Sequence, residues 1–290
     1  MMGKAKRLRE ERAEGTRGER QAPVQLVAAP AFPLDGPESG FELKVGRAVE
    51  HLQSLNAATQ RWLETDAYTV TDEFDPNTGE HSLWLAPGQP ARRLPLLIGD
   101  VIHNLRSALD HLALALAVAN IRGPLPEKVE QDSEFPVYWK RAPTTAELNK
   151  RIGSIDPKAR AIIEALQPHL KPNYADDALW RLDQLWNIDK HRDLHLTLLA
   201  NVGHGIGRPG EVINELHIIE ARAIGALRKR TQVMRYTIDP HSIVDMERVP
   251  QVEVAFGPSM PGEGEPVLRV LQALLAFVTD DVIAPLKPYL

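Results

Sequence analysis

The most informative pattern of apolar and polar positions runs from Ile98 to Asn120. Spacings of three and four residues place one set of apolar side chains on a single side of a helix: Val101, Ile102, Leu105, Ala108, Leu109, Leu112 and Leu116. The opposite arc is polar and consists of Asp100, His103, Asn104, Arg106, Ser107, Asp110 and His111. Beyond His111 the run LALALAVA is apolar on every side, which is typical of a buried helix. We therefore predict a central helix whose polar first half lies at the rim of the core.

Similar periodicities predict a mainly helical α+β fold. Four long helices are expected at about 40–65, 95–120, 177–201 and 265–285. Alternating residues on both sides of the turn sequence DPNTG predict an inserted β-hairpin at about 67–86. Three β-rich runs predict a small antiparallel sheet within 211–256, namely 212–219, 231–238 and 252–256. The fold class is therefore a four-helix bundle with an inserted β-hairpin and a small antiparallel sheet.

The chain divides into an N-terminal segment and one domain. Residues 1–38 combine a tail of alternating basic and acidic residues with a proline-rich linker, and we expect this segment to be disordered. Residues 39–290 are expected to form a single helical-bundle domain with the β insertions. Within this domain, an irregular stretch around Phe135 is expected to cover the core, and Asp156 is expected to cap a short helix that starts at Pro157.

The amino-acid composition limits the cellular location and the kinds of functional site that we expect. The chain has no cysteine, which excludes disulfides and thiolate sites, and its formal net charge of −5 means that a polyanion would need a local basic patch. No apolar run approaches the length of about 20 residues that a membrane span requires. We expect a cytoplasmic protein without a membrane partner.

Arg106 and His111 provide the main candidate for chemistry. The run RSALDH resembles the Arg-x(4–6)-His signature of HEPN domains, and the runs HNLRSALDHLA and NIDKHRDLH are similar to an uncharacterised group of actinobacterial and phage proteins. The resemblance implies a HEPN-like bundle and a metal-independent ribonuclease that acts as a homodimer on RNA, with no cofactor and with a toxin or phage-conflict role. The chain departs from the HEPN pattern in having Ser107 after the arginine, an early motif helix and β insertions.

The chemistry of such a site follows from the two side chains. Histidine exchanges a proton near neutral pH, so His111 could take the proton of a ribose 2′-hydroxyl while Arg106 holds the phosphate. His103, Asn104, Ser107 and Asp110 lie on the same polar arc and are candidate supporting residues.

The alternative is an architectural role for the same residues. Asp189 falls on the apolar face of the third long helix and needs a cation, so Arg106 would bridge to Asp189 and also to Asp110 at i+4. His103 and His111 would then form hydrogen bonds in the core, and the protein would be a catalytically inactive homodimeric interaction or structural protein.

A metal site is the weaker alternative at a second histidine pair. His191 and His195 have the i, i+4 spacing of helical zinc ligands, but no HExxH glutamate lies between them. We therefore predict no metal.

Overall fold

The computed structural model describes residues 39–65, 67–89, 91–201, 212–213, 216–221, 223–238 and 251–290, and the predicted tail and linker at 1–38 lie outside these residues. The fold is α+β, as predicted. Its helices are α1 (Gly40–Thr65), α2 (Leu94–Asn120), α3 (Glu127–Asp132), α4 (Thr145–Ile152), α5 (Pro157–Ala165), α6 (Ala178–His191), α7 (Val267–Ala276) and α8 (Ala284–Leu286). Its strands are β1 (Tyr68–Asp75), β2 (Glu80–Pro87), β3 (Leu196–Asn201), β4 (Val212–Ile213), β5 (Leu216–Ala221), β6 (Ala223–Ala226), β7 (Thr231–Ile238) and β8 (Gln251–Phe256).

The predicted central helix is α2, which packs along α1 and also contacts α6 and α7. Its apolar side is fully buried, with Leu105, Leu109 and Leu112 each at 0% exposure. The expectation that LALALAVA is buried on every side is wrong for one face. Val118, on this face, is 52% exposed. Among the described residues, no helix combines the length and apolar character that crossing a membrane requires.

The third long helix is shorter than predicted. It ends at His191, where Arg192 takes an extended backbone, and the chain then forms strand β3. The physical reason is a change of period. Leu194, Leu198 and Ala200 are buried at even spacing, which suits a strand that pairs with β8 on one side and β6 on the other.

The β segments form two antiparallel sheets instead of one hairpin and one separate sheet. The first has the order β1-β2-β7-β5-β4, so the predicted hairpin is confirmed and continues through β7. Gly79 closes the hairpin turn with φ of 73°, a left-handed conformation that favours glycine. The second sheet has the order β6-β3-β8.

The C-terminal helix is confirmed as a nearly continuous helical rod. Helix α7 passes into a wider π-helical turn at Phe277–Ile283 and then into α8. The chain ends with a 3₁₀ turn at Lys287–Tyr289, which packs against α2. The end of the chain therefore lies beside the second half of the central helix.

Candidate functional site

Arg106 is a buried ion-pair centre and not a surface group. Its side chain is 2% exposed, although it carries a permanent charge. One Nη group donates to Asp110 one turn later, which confirms the predicted i, i+4 pair. The other donates to Glu134 Oε1 at 3.3 Å and to the Phe135 carbonyl oxygen at 3.1 Å. Nε of Arg106 has no hydrogen-bond partner among the described residues, and Oδ1 of Asp183 lies 3.9 Å from it.

An aromatic ring completes the surroundings of this guanidinium. The Cζ atom of Arg106 lies 5.2 Å from the centre of the Trp186 ring, and Nζ of Lys190 lies 3.3 Å from the same ring centre. Trp186 is on α6, so the contact holds the central helix to α6. We call Arg106, Asp110, Glu134, Asp183 and Trp186 the arginine cluster.

The irregular segment that follows α3 is tied to this cluster. The Phe135 backbone N–H donates to Oδ1 of Asp110 at 3.1 Å, while the Phe135 carbonyl accepts from Arg106. The Phe135 ring is fully buried, and the amide of buried Gln167 donates to the Pro136 carbonyl at 3.0 Å. The segment therefore covers the core, as predicted.

The cluster contains more carboxylates than cations, and this affects their ionisation. Burial raises the pKa of Asp110, although Arg106 and the Phe135 N–H act in the opposite direction. Burial also raises the pKa of Asp183, again against the attraction of Arg106. Arg151 forms an ion pair with Glu134 from outside the cluster. These contacts indicate that Arg106 neutralises partly desolvated carboxylates of its own chain.

His111 lies elsewhere. It is exposed and lines an open groove of about 920 Å³ that we call the His111 groove. The groove is formed by the start of α1, the second half of α2 and the last residues of the chain. Gly40 approaches the imidazole so closely that a Cβ at this glycine would be 2.6 Å from Nδ1 of His111.

The structure therefore does not bring the two predicted catalytic residues to one site. Arg106 faces α6 and the segment at 134–135, whereas His111 faces the start of α1 and the C-terminus. Five residues along a helix turn through about 500°, so the two side chains point some 140° apart. The expectation that His111 hydrogen-bonds inside the core is also wrong, because the ring is exposed.

The supporting residues have separate surroundings. Asn104 is buried, and its Nδ2 donates to the Asp100 carbonyl at 2.8 Å inside the helix. His103 is exposed and Ser107 is half-buried. Of the predicted supporting residues on this helix, Asp110 alone contacts Arg106 through a hydrogen bond.

Asp189 does not pair with Arg106, which corrects the predicted bridge. Its carboxylate lies against Gly99 of α2, where a Cβ would be 2.4 Å from Oδ1. Burial raises the pKa of Asp189, the Asp100 carboxylate raises it further, and His103 lowers it. Asp183 faces the cation instead, with Oδ1 3.9 Å from Arg106 Nε, because Asp189 meets α2 at Gly99, about two helical turns before Arg106.

Sequence reasoning missed Asp183 and Glu134. Asp183 follows Leu179 by four residues and precedes Trp186 by three, so it lies on the face of α6 that contains these apolar residues. That spacing could have identified it by the argument applied to Asp189. Glu134 lies in an irregular segment, where no periodicity indicates its direction.

The metal alternative loses its geometric basis. His191 is the last residue of α6 and His195 lies in the extended chain before β3, so the two are not one turn apart on a helix. Within the described ranges, no group of three or more His, Asp or Glu side chains is placed to hold a metal ion.

Comparisons with known proteins leave the family open. No protein-family model matches the chain. No curated protein and no solved structure matches it either.

Proposed function

We propose that this chain is a non-catalytic interaction protein that forms a homodimer through the His111 groove. The observation that carries the proposal is the enclosure of Arg106, whose side chain is 2% exposed and whose Nη groups donate to Asp110, Glu134 and the Phe135 carbonyl. A phosphate could reach this guanidinium only after the segment at 134–135 had moved away. An architectural role for Arg106 requires no such movement.

The His111 groove has the composition of an interaction surface. Val118 is 52% exposed and Leu290 is 45% exposed, and both line the groove with His111. Neighbouring apolar side chains with high exposure are typical of protein–protein contact sites.

A second copy of the chain fits this surface by charge. Lys287 and Glu42 line the groove and form an ion pair at 3.2 Å, so each copy carries one cation and one anion beside the same apolar residues. In a two-fold dimer each surface meets its own copy, and a surface with both charges can pair with itself. A strongly charged partner would find no complementary excess of charge here.

The dimer is tested by sedimentation equilibrium of the whole chain. We expect the wild type to sediment as a dimer and Val118→Glu to sediment as a monomer, because glutamate would place a charge in the apolar centre of the contact. Leu170→Glu is the matched control, since Leu170 is 57% exposed and does not line the groove. The proposal would be contradicted if the wild type remained a monomer when its concentration was raised about 100-fold. Equal effects of the two variants on the monomer–dimer equilibrium would contradict it as well.

The HEPN-like ribonuclease acting on RNA is the second candidate. It is favoured by the exposure of His111 in an open groove that also contains Lys287, which could contact a phosphate in place of Arg106. The packing of α2 against α1, α6 and α7 supports the HEPN-like four-helix bundle that this candidate requires. The toxin or phage-conflict role stays a prediction.

Incubation of the protein with RNA in the presence of a chelator separates the two candidates. Cleavage that leaves cyclic phosphates and is lost in His111→Ala would establish the ribonuclease and overturn the non-catalytic proposal. We expect no cleavage above that of a mock purification. Because dimerisation is measured separately, its failure and the detection of cleavage are distinguishable.

A further inference from the structure

A second concave site lies where the helices meet the β6-β3-β8 sheet. We call it the helix–sheet cleft. Its volume is about 790 Å³, and small-molecule sites usually have about 300–1,000 Å³. Its walls are the end of α1, the connection from β2 to α2, the chain that enters β3 and the turn after β6. It shares no lining residue with the His111 groove and includes no residue of the arginine cluster.

Backbone hydrogen bonds fix two of the walls of the cleft. The Leu227 N–H donates to the Leu198 carbonyl at 2.7 Å, which joins the turn after β6 to β3. The Gly257 N–H donates to the His195 carbonyl, also at 2.7 Å, and holds the chain that enters β3. A ligand that enters this cleft therefore does not have to order these two walls, which lowers the entropic cost of binding.

One wall of the cleft carries an unusually exposed apolar residue. Leu96, on the first turn of α2, is 67% exposed, the highest value among the large apolar side chains of the described chain. It lines the cleft together with Trp62, whose Nε1 donates to the Gln89 carbonyl at 3.2 Å and thus keeps its polar atom paired. Exposed apolar surface within a concave site is suited to the apolar part of a ligand.

The charges that line the cleft favour an anion. Arg92 and Arg228 are both exposed, and neither has an ion pair or side-chain hydrogen bond with any described residue. Arg230, two residues after Arg228, differs in being paired with Glu73 at 2.5 Å. Asp193 is the one carboxylate among the described residues that line the cleft. The cleft therefore has an excess of positive charge in a chain whose net charge is −5.

We propose that the helix–sheet cleft binds a small amphipathic anion. The apolar body of the ligand lies over Leu96 and Trp62, and its carboxylate or phosphate head is held by Arg92 and Arg228. Arginine suits this role because its planar donors match the oxygens of both head groups. The proposal is independent of the His111 groove and of catalysis.

The ligand class is tested by calorimetric titration of the full chain with four probes. Dodecanoate and dodecyl phosphate, each below its micellar concentration, are expected to bind about tenfold or more tightly than 1-dodecanol, because hydrogen bonds to a charged group contribute more than those to a neutral one. Inorganic phosphate is expected to bind more weakly than dodecyl phosphate. Tighter binding of either dodecyl anion supports the proposal and identifies the head group. Equal binding of dodecanol, equal binding of inorganic phosphate, or no binding of either dodecyl anion would overturn it.

The double variant Arg92→Gln/Arg228→Gln tests the head-group contact. We expect its affinity for dodecanoate to fall about tenfold or more, since two charge-assisted contacts are lost. Arg122→Gln is the matched control. Arg122 is also exposed and without a described partner, but it follows the opposite end of α2. An equal loss in this control would show non-specific attraction to surface charge and would overturn the assignment.

The apolar contact is tested with a second matched pair. Leu96→Ser should weaken dodecanoate binding severalfold and leave the binding of inorganic phosphate unchanged, because the variant removes apolar area only. Leu43→Ser is the control, since Leu43 is 52% exposed on α1 and does not line the cleft. Unchanged dodecanoate binding in Leu96→Ser would remove the apolar part of the proposal.

Discussion

Arg106 donates from Nη2 to the carbonyl oxygen of Phe135 at 3.1 Å, so a buried cation of the central helix holds the backbone of an irregular segment. The Phe135 N–H donates to the carboxylate of Asp110, which also accepts a hydrogen bond from Arg106. Both backbone polar groups of Phe135 are thus satisfied by side chains of α2. A segment without regular hydrogen bonding is thereby held over the core.

Arg106→Met tests whether this arginine is architectural. We expect the free energy of unfolding to fall by about 3–5 kcal/mol, because the substitution leaves partly buried carboxylates without their cation. Urea denaturation at pH 7 measures the change. Arg269→Met is the control, as Arg269 is 67% exposed and pairs with Glu253 at the surface, where such pairs contribute about 0–1 kcal/mol. A loss for Arg106→Met no larger than that of the control would refute the architectural role.

Asp183→Asn should flatten the pH dependence of stability. The pKa of Asp183 is raised by burial, so above the ordinary carboxyl pKa the folded state binds more protons than the unfolded state. Stability therefore falls as the pH rises from that ordinary value through the raised pKa. The variant lacks this carboxylate, so the contribution of Asp183 to the decrease in stability with rising pH is lost. The variant also lacks the repulsion between Asp183 and Asp110.

The measurement is the difference in unfolding free energy between pH 4 and pH 7, compared between wild type and variant. Comparison with the wild type cancels the contribution of carboxylates whose pKa is lowered, such as Glu147. Asp280→Asn, at an exposed position, is the control and should keep the wild-type slope. A steeper fall in Asp183→Asn would contradict the assignment.

The local elements could be predicted from the sequence because their causes are local. The helix that begins at Pro157 is capped by Asp156, whose Oδ1 accepts from the Lys158 N–H at 2.8 Å. The hairpin depends on an alternating pattern around one turn that ends at Gly79. The central helix depends on one long periodic run. In each case the deciding residues lie within a few positions of the element that they determine.

The features that could not be predicted from the sequence depend on contacts with residues that are distant along the chain. Leu196–Asn201 is a strand because β8, whose paired residues lie 50 to 60 positions later in the chain, supplies the hydrogen bonds along one of its edges. The helical spacing of apolar residues up to His191 does not indicate that the helix ends there and that a strand follows. The choice between Asp183 and Asp189 as the partner of Arg106 likewise depended on which part of α6 faces this arginine. Helical periodicity places both carboxylates near the helix interface but does not rank them.

Glu147 should titrate far below the usual range for glutamate. The side-chain hydrogen bond from Arg141 lowers the pKa of Glu147 to about 2, and the Thr144 backbone N–H, at 2.7 Å, adds to the effect. This contact stabilises the fold above the usual glutamate pKa, and the contribution is lost as the pH falls through about 2.

Carbon-13 NMR of the Glu147 carboxyl group checks this value. In Arg141→Ala the midpoint should rise, yet it should stay below that of an ordinary glutamate because the capping hydrogen bonds from Thr144 remain. A wild-type midpoint in the usual range would contradict the prediction.

Two helical glycines should respond in opposite ways to alanine. In α1, Gly46 has no atom within 4 Å of the position that a Cβ would take, so Gly46→Ala should stabilise the protein by about 0.5–1 kcal/mol through helix propensity. In α2, a Cβ at Gly99 would lie within 2.4–2.7 Å of the Asp189 carboxylate atoms. Gly99→Ala should therefore destabilise the protein, although alanine is the better helix former.

A double-mutant cycle measures how much this close contact changes the free energy of unfolding. Asp189→Ala removes the side chain that a Cβ at position 99 would meet, so Gly99→Ala should be tolerated in that background. The coupling free energy between the two substitutions is expected to be about 1–3 kcal/mol, measured by urea denaturation. Asp189 lies against the backbone of α2 at Gly99. A coupling free energy near zero would mean that its carboxylate can turn away from a Cβ at position 99 at little cost. The close packing of α6 on the central helix would then not depend on a glycine at this position.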